Sequence, residues 1–307
     1  MRRITLLDGG MGQELVHRSS QPAHPMWGAH VMINEPEIVQ ATHADYLRAG
    51  ARVLTLNTYS TTPGRFTKFG MLDQFAPMQR RAFELARAAI DETGIEADLV
   101  GCLPPLVGSY HPELLPSYEV LLAEYRLIAA EQADRVDFFI CETMSKAEEA
   151  RAAATAAAET DRPVWVAWTL AEKLDAQGKA RLRSGETIPE AIAALDGLPV
   201  AVLLANCCSP ESVDAAMPEL VASGWPAGGY ANGFMPIPSE FTLGQTVDML
   251  SARKDLGPEA YADFAMGWVG QGARVVGGCC EVGPAHIAEL ARQLRAAGHE
   301  IVGGMNV

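Results

Sequence analysis

The chain has 307 residues, 49% of them hydrophobic, enough for one large domain or two small ones around a sizeable core, which sets disorder aside. Its 38 acidic residues against 24 basic ones give a formal net charge of −14, so a nucleic-acid backbone or an anionic membrane surface is repelled on average; a small or cationic partner fits better. No apolar run approaches the roughly 20 residues of a membrane helix, and the opening MRRITLLDGG turns to Asp8 and glycines before a signal-peptide core forms, so a cytoplasmic protein is expected.

In chain order, the apolar runs ITLLD (4–8), RVLTLN (52–57), DLVGC (98–102), DFFICE (137–142), VWVAWT (164–169), VAVLLAN (200–206), PAGGYA (226–231) and RVVGG (274–278) read as strands. Most are continuous rather than alternating, as in strands buried on both faces. Helical spacing separates them: 36–50, with Pro36 at its start and Gly50 at its end, then 75–94, 146–160, 258–272 and 284–298. Eight strands alternating with helices predict a (β/α)8 TIM barrel over 1–307, with a doubly wound open sheet as the alternative. No Pro- or Ser-rich linker or charge block divides the chain, so a single domain is the simpler organisation. The segment 239–257 lengthens the connection after the seventh strand, which in a barrel places a loop over the catalytic face.

The glycine-rich DGGMGQEL (8–15) lacks both the third glycine of a dinucleotide fingerprint and the Lys-Ser/Thr of a P-loop, and reads as a tight βα turn. Asp8 there and Glu142 in FICET (139–143) both end strands, where a barrel aims side chains into its mouth. Two such carboxylates serve as general acid and base, or recognise an ammonium group; the plainer role is capping the next helix.

Six cysteines are too few for a disulfide scaffold, and clustered thiols in a reducing compartment point to metal or redox chemistry. Asn206-Cys207-Cys208 ends the sixth strand and Gly278-Cys279-Cys280 the eighth, so four thiols share one rim. Three thiolates with a fourth position open make a catalytic zinc arrangement; four buried cysteines acting as small hydrophobes are the alternative. Adjacent strand residues face opposite sides, so the pair must lie in a bend, for which Gly277 and Gly278 are the expected hinge. Cys102 and Cys141 are expected to be structural, Cys141 facing the helices if Glu142 faces the mouth. His43 and His286 are expected to pack, cap or hydrogen-bond rather than bind metal.

With LLDGGMGQEL, HPMW (24–27), HADYLRAGARVLTLNTY (43–59), ICET, LANCC and VVGGCCEVGPAHI, the chain resembles, nearly end to end, the zinc-dependent homocysteine S-methyltransferases. These include S-methylmethionine and betaine users and the homocysteine domain of methionine synthase. The resemblance implies a (β/α)8 barrel, zinc on Cys207, Cys279 and Cys280, and a homocysteine amino group on Asp8 and Glu142 with Gly9 beside the substrate. It places Cys208 next to a ligand rather than in the ligand set. Trp27 and Asn57 become candidate methyl-donor contacts, Trp27 through its ring face or as a packing residue. The implied reaction transfers a methyl group from a small sulfonium such as S-methylmethionine to homocysteine, giving methionine. Betaine, S-adenosylmethionine, a separate corrinoid protein, or a non-catalytic zinc-binding barrel serving as sensor or partner subunit are alternatives, as is a dithiol redox protein. Small-molecule partners are implied; oligomeric state is not. Three segments depart from the family pattern: 101–119, 230–241, and Glu281, where Gly is usual.

Overall fold

The computed structural model describes residues 2–237, 241, 246 and 249–307. Nine parallel strands, β1 (Arg3–Leu6), β2 (Val53–Thr55), β3 (Asp98–Leu103), β4 (Phe138–Met144), β5 (Val164–Trp168), β6 (Val200–Asn206), β7 (Ala227–Tyr230), β8 (Val275–Val276) and β9 (Glu300–Val302), form one sheet in the order 2-3-4-5-6-7-8-1-9. The ends of that order meet. Leu7 bridges Val53, the Asp8 N–H donates to the Val53 carbonyl at 3.1 Å, and the Arg52 N–H donates to the Leu6 carbonyl at 2.9 Å. The first eight strands therefore close into the expected barrel.

The helices are α1 (Met11–Arg18), α2 (Trp27–Asn34), α3 (Pro36–Ala49), α4 (Pro63–Lys68), α5 (Phe75–Thr93), α6 (Tyr118–Gln132), α7 (Ala147–Ala158), α8 (Ile188–Ala193), α9 (Pro210–Ala222), α10 (Pro258–Gln271) and α11 (Pro284–Ala296). The five expected from sequence are α3, α5, α7, α10 and α11, each within two residues of its expected ends. Gly50 closes α3 in the left-handed region at φ 119°, the conformation for which glycine is suited.

Strand alternation sorts the core into two layers. Leu7, Val53, Val100, Phe138, Ile140, Trp165, Val202, Leu204 and Val275 fill the barrel interior, with Phe138 and Trp165 ring centroids 4.3 Å apart. Phe139 and Cys141, one step out of phase, pack into the larger layer between strands and helices. The inward phase Phe138, Ile140 leads next to Glu142, at the C-terminal mouth. β9, not expected from sequence, pairs Arg3 with Glu300 and Thr5 with Val302 at the other end of β1. Of the connection expected over 239–257, residues 239–240, 242–245 and 247–248 lie outside the described residues, as does 238–240 of the 230–241 segment.

Candidate metal centre and active site

The three thiols of Cys207, Cys279 and Cys280 converge, all sulfur atoms lying within 4.8 Å of one another. Cys207 follows β6 with φ 48°, a left-handed conformation uncommon outside glycine that turns its side chain into the mouth. Its carbonyl accepts from Thr169 Oγ1 at 3.1 Å and its N–H donates to the Tyr230 carbonyl at 3.2 Å. β8 ends at Val276, so Cys279 and Cys280 lie past the strand and escape its alternation, with their sulfurs 4.0 Å apart. A turn in which the Val282 N–H donates to the Cys279 carbonyl at 3.0 Å, and bonds to Ala231 and Gly233, fix the pair.

Gly277 and Gly278 are not the hinge expected of them, for neither has a left-handed φ. They are needed for close approach. A Cβ on Gly277 would sit 2.5 Å from Leu7 Cβ, and one on Gly278 would sit 2.2 Å from Val282 Cγ1. The left-handed residue is Glu281, at φ 63°, which explains why glycine suits that position. The Glu281 carboxylate reaches His17 Nε2 of α1 at 3.7 Å.

The same packing accounts for DGGMGQEL. A Cβ on Gly9 would lie 2.0 Å from the Val282 carbonyl oxygen, and one on Gly10 2.4 Å from that of Cys279. The Gly278 N–H donates to the Asp8 carbonyl at 3.0 Å, and the Gly10 N–H to that of Val282 at 3.0 Å. The two loops are laced backbone to backbone, which seats Asp8 beside the thiol pair.

Asp8 and Glu142 line the same cavity as the three thiols. Asp8 accepts from the Thr55 N–H at 2.9 Å and Thr55 Oγ1 at 3.1 Å. Burial raises its pKa to about 8, against the Thr55 bonds, with the Glu142 charge adding to the rise. Glu142 accepts from Tyr230 Oη at 3.0 Å and from the Cys102 thiol at 3.2 Å. Burial raises it to about 7 against those two bonds. Cys102 is thus more than a packing residue: two positions after Val100, it shares that residue's inward phase and orients Glu142. Cys141 faces the helices.

Within the thiol cluster, hydrogen bonds from Cys279 and Cys280 hold Cys207 well below the usual thiol range, and bonding to Cys207 pushes the other two well up. Tyr110 Oη lies 3.1 Å from Cys207 Sγ, with the Arg183 guanidinium 4.7 Å from the Tyr110 ring centre. Cys208 is buried in the outer layer, outside the cluster, and burial lifts its thiol to about 12.

Asn206 sets the spacing between carboxylate and thiols. Its Oδ1 accepts from the Thr143 N–H at 3.0 Å and its Nδ2 donates to Thr143 Oγ1 at 3.0 Å, clamping the end of β4 to that of β6. Trp27 and Asn57 both line the cavity, but the Asn57 amide is committed to the Gly28 carbonyl at 3.1 Å, where it holds the start of α2. The Trp27 ring meets Tyr59 edge-on at 5.7 Å, and its Nε1 is buried without a hydrogen-bond partner among the described residues. Phe234, Phe241 and Leu250 complete the wall. The space amounts to about 1240 Å3 including its open mouth.

Of the six non-glycine residues with left-handed φ among the described residues, Trp27, Tyr110 and Cys207 line this cavity, and Thr143 and Glu281 directly follow the lining residues Glu142 and Cys280. Backbone strain concentrated in this way marks a functional constellation. His43, fully buried on α3 with neither ring nitrogen partnered among the described residues, has its pKa pressed down to about 3 by burial and is a neutral packing residue. His286 Nδ1 accepts from the Gly283 N–H at 3.2 Å and caps α11.

Fold and site together define a β/α-barrel protein whose mouth carries a metal-competent trio of thiols facing two buried carboxylates. A family model described as homocysteine S-methyltransferase matches residues 5–294. Homocysteine S-methyltransferase of Escherichia coli strain K12 is 30% identical over 306 residues, spanning 94% of this chain and 94% of the relative. The metallated crystal form of the E. coli homocysteine methyltransferase MmuM has a TM-score of 0.77 at 28% identity, covering 94% of this chain and 96% of that one. Betaine-homocysteine S-methyltransferase of Drosophila melanogaster is 24% identical over 316 residues, covering 92% and 91% of the two chains. The chain belongs to the homocysteine S-methyltransferase family.

Proposed function

We propose that this protein is a zinc-dependent enzyme that methylates the thiolate of L-homocysteine from a small methyl-sulfonium donor such as S-methylmethionine, giving methionine. The observation that carries the reading is the convergence of three thiols beside two buried carboxylates at one barrel mouth. The donor set fits zinc. Tetrahedral ligation with Zn–S bonds of about 2.3 Å separates sulfurs by roughly 3.8 Å, close to the 4.0 Å between Cys279 and Cys280. Cys207, Cys279 and Cys280 would hold the ion. When bound, zinc supplies a Lewis acid that lowers the pKa of a thiol substrate into the neutral range.

The remaining work falls to the chain. Asp8 and Glu142 receive the homocysteine ammonium, whose positive charge draws both carboxyls into their ionised forms against burial. Thr55 orients the first, and Tyr230 with Cys102 the second. Gly9 keeps the floor beside the substrate free of a side chain. The three thiolates outweigh a divalent ion by one negative charge, which favours approach of a cationic donor, with Trp27 offering its ring face to the onium centre. Residues 1–307 act as one homocysteine-binding domain, with small molecules as partners and a cytoplasmic setting that keeps the thiols reduced.

The test is metal analysis of protein purified under reducing conditions, followed by a donor panel of S-methylmethionine, betaine and S-adenosylmethionine with homocysteine held constant. Stoichiometric zinc and preferential turnover of S-methylmethionine are expected. Full activity in a preparation lacking zinc overturns the metal reading, and exclusive use of betaine overturns the donor assignment.

A further inference from the structure

The cavity walls carry Asp8, Glu142 and three thiols, and Arg65 is the one arginine or lysine among the described residues that line it. It belongs to α4, whose first turn Thr62 caps by accepting the Arg65 N–H at 3.3 Å. Arg65 Nη1 donates to the Pro25 carbonyl at 2.7 Å, which ties the guanidinium to the segment that presents Trp27 two residues later. That is the one hydrogen bond of its side chain among the described residues. Among the described residues no carboxylate forms an ion pair with it. Arg18 pairs with Glu14 and Asp45, Arg183 with Glu172, and Arg253 with Glu211 and Asp255, whereas Arg52, Arg135, Arg151 and Arg162 bond to backbone carbonyls as Arg65 does but do not line this cavity. A guanidinium drawn out of water without a counter-charge is costly, and its planar fork matches a carboxylate.

We propose that Arg65 anchors the carboxylate of the methyl donor, so that this enzyme selects zwitterionic onium carboxylates over onium ions that carry no carboxylate. The inference rests on the donor reading given above. The onium centre sits against Trp27 and the anionic thiol cluster, and the donor's carboxylate reaches back to Arg65 beside Pro25. The same fork would serve the homocysteine carboxylate, so the experiment must separate the two.

Zinc-replete full-length protein is assayed with S-methylmethionine and with trimethylsulfonium, for wild type, Arg65→Gln and Arg65→Lys. Arg65→Gln is expected to raise the KM for S-methylmethionine about ten-fold or more. The KM for homocysteine should stay within about two-fold, and kcat/KM for trimethylsulfonium should be unaffected. Arg65→Lys keeps the charge without the fork and should fall between wild type and Arg65→Gln. An equal loss with both donors, or none with either, overturns the inference while the donor reading stands. A rise in the KM for homocysteine instead assigns the anchored carboxylate to the acceptor and also overturns it. If wild type transfers methyl from no onium carboxylate, the donor reading fails in that arm alone, and the inference with it.

Discussion

Replacing Glu142 by Gln keeps the side chain's size and its place against Tyr230 while removing the charge that would face the substrate ammonium. With a pKa raised to about 7, the carboxyl is about one-tenth ionised at pH 6 and about nine-tenths ionised at pH 8. A hydrogen bond to a charged group contributes about 1.5–3 kcal/mol. The variant's kcat/KM for homocysteine should therefore fall roughly 10- to 150-fold at pH 8. At pH 6 the wild-type group is itself mostly neutral, and the deficit should shrink by up to about ten-fold. Losing the Glu142 charge also removes one cause of the raised Asp8 pKa, which narrows the gap further near neutrality. Titration of the free substrate is common to both proteins and cancels in their ratio. The assay is initial rate against homocysteine concentration from about pH 6 to about pH 8.5 at constant ionic strength. A wild-type to variant ratio that does not change with pH, or an unchanged KM at pH 8, would refute the assignment.

Three further outcomes are expected. Cys207→Ala, Cys279→Ala and Cys280→Ala should each lose zinc and activity, whereas Cys208→Ala, in the layer beneath the helices, should keep its metal by elemental analysis; zinc lost from Cys208→Ala alone would mean the wrong neighbour had been chosen. Asn206→Ala leaves the buried Thr143 N–H unpaired and should lower stability by about 2–4 kcal/mol in urea denaturation, with a raised KM for homocysteine as Glu142 and Cys207 drift apart. Glu149, raised by burial to about 7 despite its bonds from Ser145, contributes stability that is present below its ordinary 4.5 and lost as pH rises through about 7. Glu149→Gln should therefore gain on wild type between pH 5 and pH 8, and a constant difference would remove that account.

The eight barrel strands were legible because a strand buried on both faces must be apolar throughout, and such runs stand out at regular spacing. β9 was not, since Glu300–Val302 is three residues long and begins with a charge. Cys207, Cys279 and Cys280 were legible as rim residues, yet the device that unites them was misread. Glycines next to the pair suggested a hinge, but close contact with the Leu7 and Val282 side chains demands those glycines, and the left-handed turns fall on Cys207 and Glu281. Tyr230, Cys102 and Tyr110 were missed as site residues. For Cys102, the two-residue phase from Val100 was the available signal. Tyr110 comes from an irregular loop where no periodicity forecasts which way a side chain turns, so its contact with Cys207 appears only in three dimensions.

The positions of the three thiols along the chain carry a mechanical consequence. Cys207 leaves β6, while Cys279 and Cys280 follow β8, so an ion held by all three would join points about seventy residues apart. The arc between them, α9, β7 and α10, would then be a loop fastened at its neck, with less freedom to gain on unfolding. A metal that prepares the nucleophile would thus also act as a clasp on that arc, and a chain stripped of it would keep its strand pairing while losing the restraint between β6 and the turn after β8.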